Sequence, residues 1–385
     1  MVNGLPGRKP LLRALIDING PDYVRVAGAA DAIAGRRASL VATPATTRAV
    51  TETVALTAER GLAIVPRGSG SKIDWGLPPP GVDLLLDTGR LAGIWDHRPE
   101  DMVAEVGTGT PVKAVQAALA LRGQRLAVDP PSPTATIGGM LAVNESGPLR
   151  YRYGSPAEQV NSVSYVDAGG VAATSDGEHG KPGIAEVDGV ILSASMRLSP
   201  LPGARRWVVL PVTNPLQIHE SVGRALAQPV GPSAIEIDLP SLGGPPGMLA
   251  VLLEGAEPGV VARADQVAMA WGPAARVSPT APGWWGRYPF VRGEVALRIR
   301  VPVADLHAAV FALRDAAGTP VPVRGSVGAG NVHAVLPAGL GIDRVEEVLD
   351  AVRGVLLARG GRCLVIAAPP EISREIDMAG RHDLF

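Results

Sequence analysis

The chain has 385 residues, 46% hydrophobic and 19% charged, enough to build two cored domains and too apolar for wholesale disorder. Thirty-six basic against 37 acidic side chains leave a net charge of -1, which argues against the basic face of a nucleic-acid-binding protein. A single cysteine, Cys363, excludes a disulfide framework and any multi-cysteine metal or iron–sulfur centre on this chain.

The first twenty residues, MVNGLPGRKPLLRALIDING, lack the apolar core and small-residue cleavage pattern of a signal peptide. No stretch reaches bilayer-spanning length without charges or prolines, so no membrane span is predicted and a cytoplasmic location is expected. Residues 47–60 place Val50, Val54 and Ala58 on one helical face, with Gly61 as the stop. LAIVPR (62–67) reads as a buried strand, VDLLLDT (82–88) as another, and residues 101–109 as extended. Thr110 and Pro111 form an expected N-cap and first-turn pair, opening a helix with Val112, Val115 and Leu119 inward and Gly123 at its end. The Pro/Gly-rich loops at 128–156 carry few charges and are candidates for an ordered site.

After SPLPGARR (199–206) the rhythm changes. Strand, helix, strand, strand and helix run from WVVLPV (207–212) to GVVARADQVAMAW (259–271), and a second such round runs from EVALRIRV (294–301) to CLVIAA (363–368). This is the split βαβ, ferredoxin-like pattern used twice. It divides the chain into a first domain over 1–205 and a second over 206–385.

Between the first two strands lies VPRGSGSKIDWG (65–76). Glycines after a strand let backbone N–H groups converge on an anion, because no Cβ blocks the approach. Arg67 and Lys72 would add positive charge for a diphosphate. The spacing fits neither G-x-x-x-x-G-K-[ST] nor G-x-G-x-x-G, so on the loop alone an ordinary turn stands slightly ahead of an anion cradle. A second stretch, DPPSPTATIGGMLAVNESGPLRYRYG (129–154), brings another glycine pair, an Asn and a Ser-Gly-Pro. Two such loops suit one elongated ligand, such as a dinucleotide.

Taken together, VPRGSGSKIDWG, LLLDTGRLAGI, EVGTGTPVKAVQAAL and the 124–154 stretch resemble the FAD-binding oxidases of the vanillyl-alcohol oxidase/PCMH superfamily. Within it they are most similar to the second FAD-binding subunit of the bacterial glycolate oxidase complex. The resemblance runs from about residue 40 to 200 and continues more weakly through the C-terminal region. It implies an α+β fold, a PCMH-type FAD-binding domain followed by a ferredoxin-like cap. It implies that Arg67, Gly68, Ser69, Gly70, Ser71 and Lys72 cradle the FAD pyrophosphate, and that Thr136, Ile137, Gly138 and Gly139 form a second FAD-contacting turn continued by Asn144, Ser146 and Gly147. Val190 and Ile191 would contribute backbone on the adenine side. No histidine adjoins these motifs, so non-covalent FAD is expected. The implied activity is oxidation of a small 2-hydroxy acid such as glycolate, with catalytic flavoprotein and iron–sulfur subunits as partners.

The sequence departs from the family in two places. The stretch SDGEHGKPGIAEVDG (175–189) is short and lacks the Lys-Asn-x-x-Gly-Tyr-Asp-Leu segment. The family's Gly-His-x-Gly-Asp-Gly-Asn-x-His motif reads GSVGAGNVH (325–333), with Ser326 and Ala329 in place of a histidine and an aspartate. His333 is therefore expected to be a strand histidine, no metal is predicted, and no catalytic base is assigned. Arg298 and Arg300 leave one strand face, where one of them suits a substrate carboxylate and a solvated face is the commoner explanation of both. The alternative function is a flavin-free paralogue that serves an oxidase complex as a scaffold or regulatory subunit.

Overall fold

The structure, a computed structural model, describes residues 8–177, 184, 187–241, 244 and 246–380. The chain folds as two compact units. The first comprises residues 1–74, 78–145 and 155–201; the second comprises Trp75–Leu77, Ser146–Gly154 and Pro202–Phe385.

The first unit is built on two sheets. In the smaller, the strands run in the order Val24–Val26, Leu40–Ala42, Leu84–Asp87, Ile64–Arg67. The last three are mutually parallel. Leu84, Leu85 and Leu86 are all fully buried, as a parallel strand covered on both faces requires. Helix Thr47–Glu59 packs here, capped by the Thr46 hydroxyl, which accepts from the Ala49 amide at 3.1 Å. Val50 and Val54 are buried as expected, but the face continues through Thr53 and Thr57, and Ala58 is exposed. Thr57 is accommodated because its hydroxyl donates to the Val54 carbonyl at 2.8 Å.

The larger sheet centres on Gly189–Pro200, which pairs with Val160–Asp167 and with Val103–Gly107. Helices Val112–Ala120 and Ile137–Ala142 contribute to its core. Thr110 does not cap the first of these. The cap position is Pro111, and the Thr110 hydroxyl instead donates to the Gly107 carbonyl at 2.6 Å and accepts from the Gly93 amide at 2.9 Å. The reason lies in the backbone: residues 108–112 are tied to the 135–138 turn, which fixes Thr110 in a turn of its own.

In the second unit one antiparallel sheet of eight strands is made by two successive ferredoxin-like repeats. Each repeat has its four strands in the spatial order fourth, first, third, second. The two join edge to edge through their second strands, Ala234–Leu239 and Val323–Ser326. The four long helices share a core with one face of the sheet, which includes Ile235, Val251, Ile299, Val332 and Cys363. Burial pushes the Cys363 thiol up to about 12, so it is a core residue and not a nucleophile. The opposite face is apolar around Trp207, Ala234 and Leu252 and polar from Glu236 to Arg362. Among the described residues, no helix is long and apolar enough to cross a membrane.

Candidate cofactor site

The loop Gly68–Ser71 leaves the end of strand Ile64–Arg67. Its start is fixed by Arg67, whose carbonyl accepts from both the amide (2.9 Å) and the hydroxyl (3.1 Å) of Thr88. The Arg67 guanidinium turns into the protein. It donates to Asp31 at 3.0 Å and to Asp87 at 2.8 Å, and Asp31 also receives a two-pronged bond from Arg25 at 2.6 and 2.8 Å. The Arg25 bond, with those of the Gly28 amide and Arg67, holds the Asp31 carboxyl well below the usual carboxylate range despite its burial.

Beyond Arg67 the backbone is open. Among the described residues, the amides of Gly68, Ser69, Gly70 and Ser71 have no acceptor within the chain. Four consecutive donors on small residues, one of them at φ +74 (Gly70), make a concavity suited to an anion. Lys72, by contrast, is buried against Glu145 at 2.5 Å, and the other Glu145 oxygen accepts from the Ser132 amide and hydroxyl. Its charge is matched inside the chain.

The second glycine turn meets the first. A Cβ built on Gly68 would lie 2.2 Å from the Thr136 Oγ1, so the two backbones approach as closely as glycine allows. Yet the second turn's amides are already spent. Ile137 donates to the Thr110 carbonyl (2.9 Å), Gly138 to the Thr108 carbonyl (2.8 Å) and Gly139 to the Thr136 hydroxyl (3.3 Å). Gly138 is a packing glycine: its Cβ would fall 1.7 Å from the Thr108 Oγ1.

Known proteins similar to this chain share these turns' stretch of sequence. Residues 38–175 match the FAD binding domain family. That stretch, 38–175, holds both glycine turns, so the likeness falls on the candidate site itself. Glycolate oxidase subunit GlcE of Escherichia coli is 32% identical over 155 residues, 37% of this chain and 43% of that protein. A D-lactate dehydrogenase of Archaeoglobus fulgidus is 27% identical over 131 residues, 34% of this chain and 29% of that protein. The matched part thus spans less than half the length of either relative. Among solved structures, alkyldihydroxyacetonephosphate synthase superposes with a TM-score of 0.71 at 16% identity, covering 94% of this chain and 81% of the other. p-Cresol methylhydroxylase with substrate bound gives 0.71 at 14%, covering 96% and 91%. These two likenesses show a shared α+β fold.

The remaining residues predicted to contact FAD scatter in role. Asn144 adopts φ +48, and its Oδ1 accepts from the Ala157 amide at 3.0 Å, which anchors the loop. Ser146 and Gly147 belong to the second unit, where they accept from the side chain and the amide of Arg150. Val190 and Ile191 are buried in the central strand. They pair with Val166 and Tyr165 on one side only, because the ladder to Val103–Gly107 begins at Ser193. Among the described residues their backbone has no strand neighbour on the other side. Within the short 175–189 stretch, residues 178–183, 185 and 186 lie outside the described residues. Sequence reasoning missed Asp31, Asp87 and Glu145, which neutralise Arg67 and Lys72; no local signal marks them.

In the second unit His333 is a buried strand residue set edge-on to the Tyr288 ring. Burial, and then the charge of Arg298, push its imidazole down to about 3. Among the described residues no cluster of His, Cys, Asp or Glu has a metal-binding arrangement. Trp285 packs edge-to-face on Trp207 at 6.1 Å, a core contact.

The His333 shift has a measurable consequence. An unfolded chain protonates this histidine near pH 6.5, whereas the folded one resists until about 3, so between those values the unfolded state binds more protons. The folded-state stabilisation is present above pH 6.5 and falls by up to ~1.4 kcal/mol per pH unit on acidification. Thermal melting of His333→Gln against the parent between pH 7 and pH 4 should show a shallower loss in the variant; parallel curves refute the assignment.

Proposed function

We propose that this chain binds FAD non-covalently through the loop Gly68–Ser71 and takes part, as a subunit of an oxidase, in oxidising a small 2-hydroxy acid. The observation that carries this reading is the run of four amides without an acceptor among the described residues, in a stretch that matches an FAD-binding domain family. The diphosphate of the cofactor would lie against those amides, with the backbone edge at Val190 and Ile191, unpaired among the described residues, toward the adenine. Bound flavin supplies the hydride-accepting chemistry. The chain's own contribution is to hold it: Arg67 pins the loop's first residue, and the Lys72–Glu145 pair pins its last. The substrate class follows from the relatives, which are named for glycolate and D-lactate, both small 2-hydroxy acids. The likeness to GlcE, itself named as a subunit, supports assembly with further subunits, among them a catalytic flavoprotein.

One observation favours the flavin-free alternative. Both cations beside the loop are matched by the chain's own carboxylates, so the cradle offers dipoles and little net charge. Absorption spectra of the purified chain, before and after incubation with FAD and gel filtration, decide between the two. Flavin bands at near-equimolar FAD support the first reading, and reduction of a dye acceptor with glycolate or D-lactate then tests the substrate class. A colourless protein after reconstitution sinks the flavin reading.

A further inference from the structure

The polar face of the second unit's sheet carries three arginines without a matching acid among the described residues. Arg300 and Arg362 are direct cross-strand partners, so two guanidinium groups of like charge project from the same face. Arg298, two residues before Arg300 on the same strand, projects there too. Among the described residues no carboxylate pairs with any of the three, and the Nε of Arg298 is buried without a partner. Asp305, which follows the same strand by five residues, is engaged by Arg359 at 3.5 Å. Burial and the charge of Arg300 both weaken the hold of Arg298 on its proton, which shows the positive charges felt across the face.

Arg300 and Arg362 line a cavity of about 600 Å³ bounded by the turn Gly328–Ala329–Gly330. Within that turn the Ala329 amide has no acceptor among the described residues. Placing like charges opposite one another on a sheet is destabilising. The arrangement makes sense when an anion sits between them, accepting from planar guanidinium donors.

We propose that this cavity is a binding site for a small dianion, a dicarboxylate or a phosphate group, held between Arg300 and Arg362 within the field of Arg298. The site needs no flavin and stands apart from the reading above. Titration calorimetry of the purified chain with succinate, with inorganic phosphate and with acetate at matched ionic strength tests it. Saturable binding of a dianion but not of acetate is expected, and which dianion binds distinguishes the carboxylate from the phosphate source. Arg300→Gln and Arg362→Gln should each weaken that binding about tenfold or more. Because each substitution also relieves repulsion, the unliganded variants should melt no lower than the parent, which separates loss of the site from loss of the fold. Binding of neither dianion, or undiminished binding in the double variant, overturns the proposal.

Discussion

Gly68→Ala is expected to strip the chain of flavin while leaving its second unit folded. The physical reason is space and not backbone conformation, since Gly68 is not among the positive-φ residues. A methyl group there would lie 2.2 Å from the Thr136 Oγ1 and 3.2 Å from both Thr136 carbons, Cβ and Cγ2. Thr136 cannot retreat easily: its hydroxyl caps Ile137–Ala142, and the next two amides are tied to residues 110 and 108. The loop must move instead, carrying its amide donors out of register. Overpacking of this kind costs about 1–3 kcal/mol. At Gly70 the added Cβ would meet only the Arg67 side chain, at 3.5 Å from its Cδ, an ordinary contact, so Gly70→Ala suffers the φ +74 strain alone, about 1 kcal/mol. Flavin retained per mole of protein after gel filtration should therefore fall in the order parent, Gly70→Ala, Gly68→Ala. Thr136→Ala, combined with Gly68→Ala, removes the nearest atom and should restore part of the loss. Full retention in Gly68→Ala would mean that the contact between the two turns does not shape the site.

The same contact shows what a linear reading captures and what it leaves out. The alternation of strand and helix after residue 205 is local, and both ferredoxin-like repeats are legible from it. Their joining through two second strands is not, because nothing in Ala234–Leu239 or Val323–Ser326 announces an edge that will be paired. The glycine-rich loop is equally plain in the sequence, but whether it cradles an anion or only turns is not, since its spacing fits neither phosphate-loop pattern. Arg67 and Lys72 illustrate the limit. Their charge is visible, but its destination is set by Asp31, Asp87 and Glu145, which lie 36, 20 and 73 residues away along the chain. The Gly138–Gly139 pair misleads in a related way. A glycine that lets backbone approach a ligand and one that lets two segments of protein touch look identical until the neighbour, here Thr108, is known.

Lys72→Met should be among the most destabilising single changes in the first unit. The ammonium-bearing side chain is only 5% exposed and its partner carboxylate not at all, so truncating the lysine leaves Glu145 charged in the interior. Removing one member of a buried pair costs about 3–5 kcal/mol, most of it the stranded charge. Replacing both should recover most of that. In Lys72→Met/Glu145→Gln the glutamine oxygen still accepts from Ser132, and no net charge remains buried. Calorimetric melting of the two single variants and the double gives the coupling directly, and additive losses would show that the pair is not the unit of stability. Flavin content of the double variant then separates two roles for the lysine. If Lys72 serves only to pin the loop's end to the Glu145 segment, the neutral pair keeps the loop in place and flavin is retained, because the four amides do the binding. Loss of flavin from a double variant that melts like the parent would return the Lys72 charge to the diphosphate, and would mean that Glu145 gives it up when the cofactor arrives.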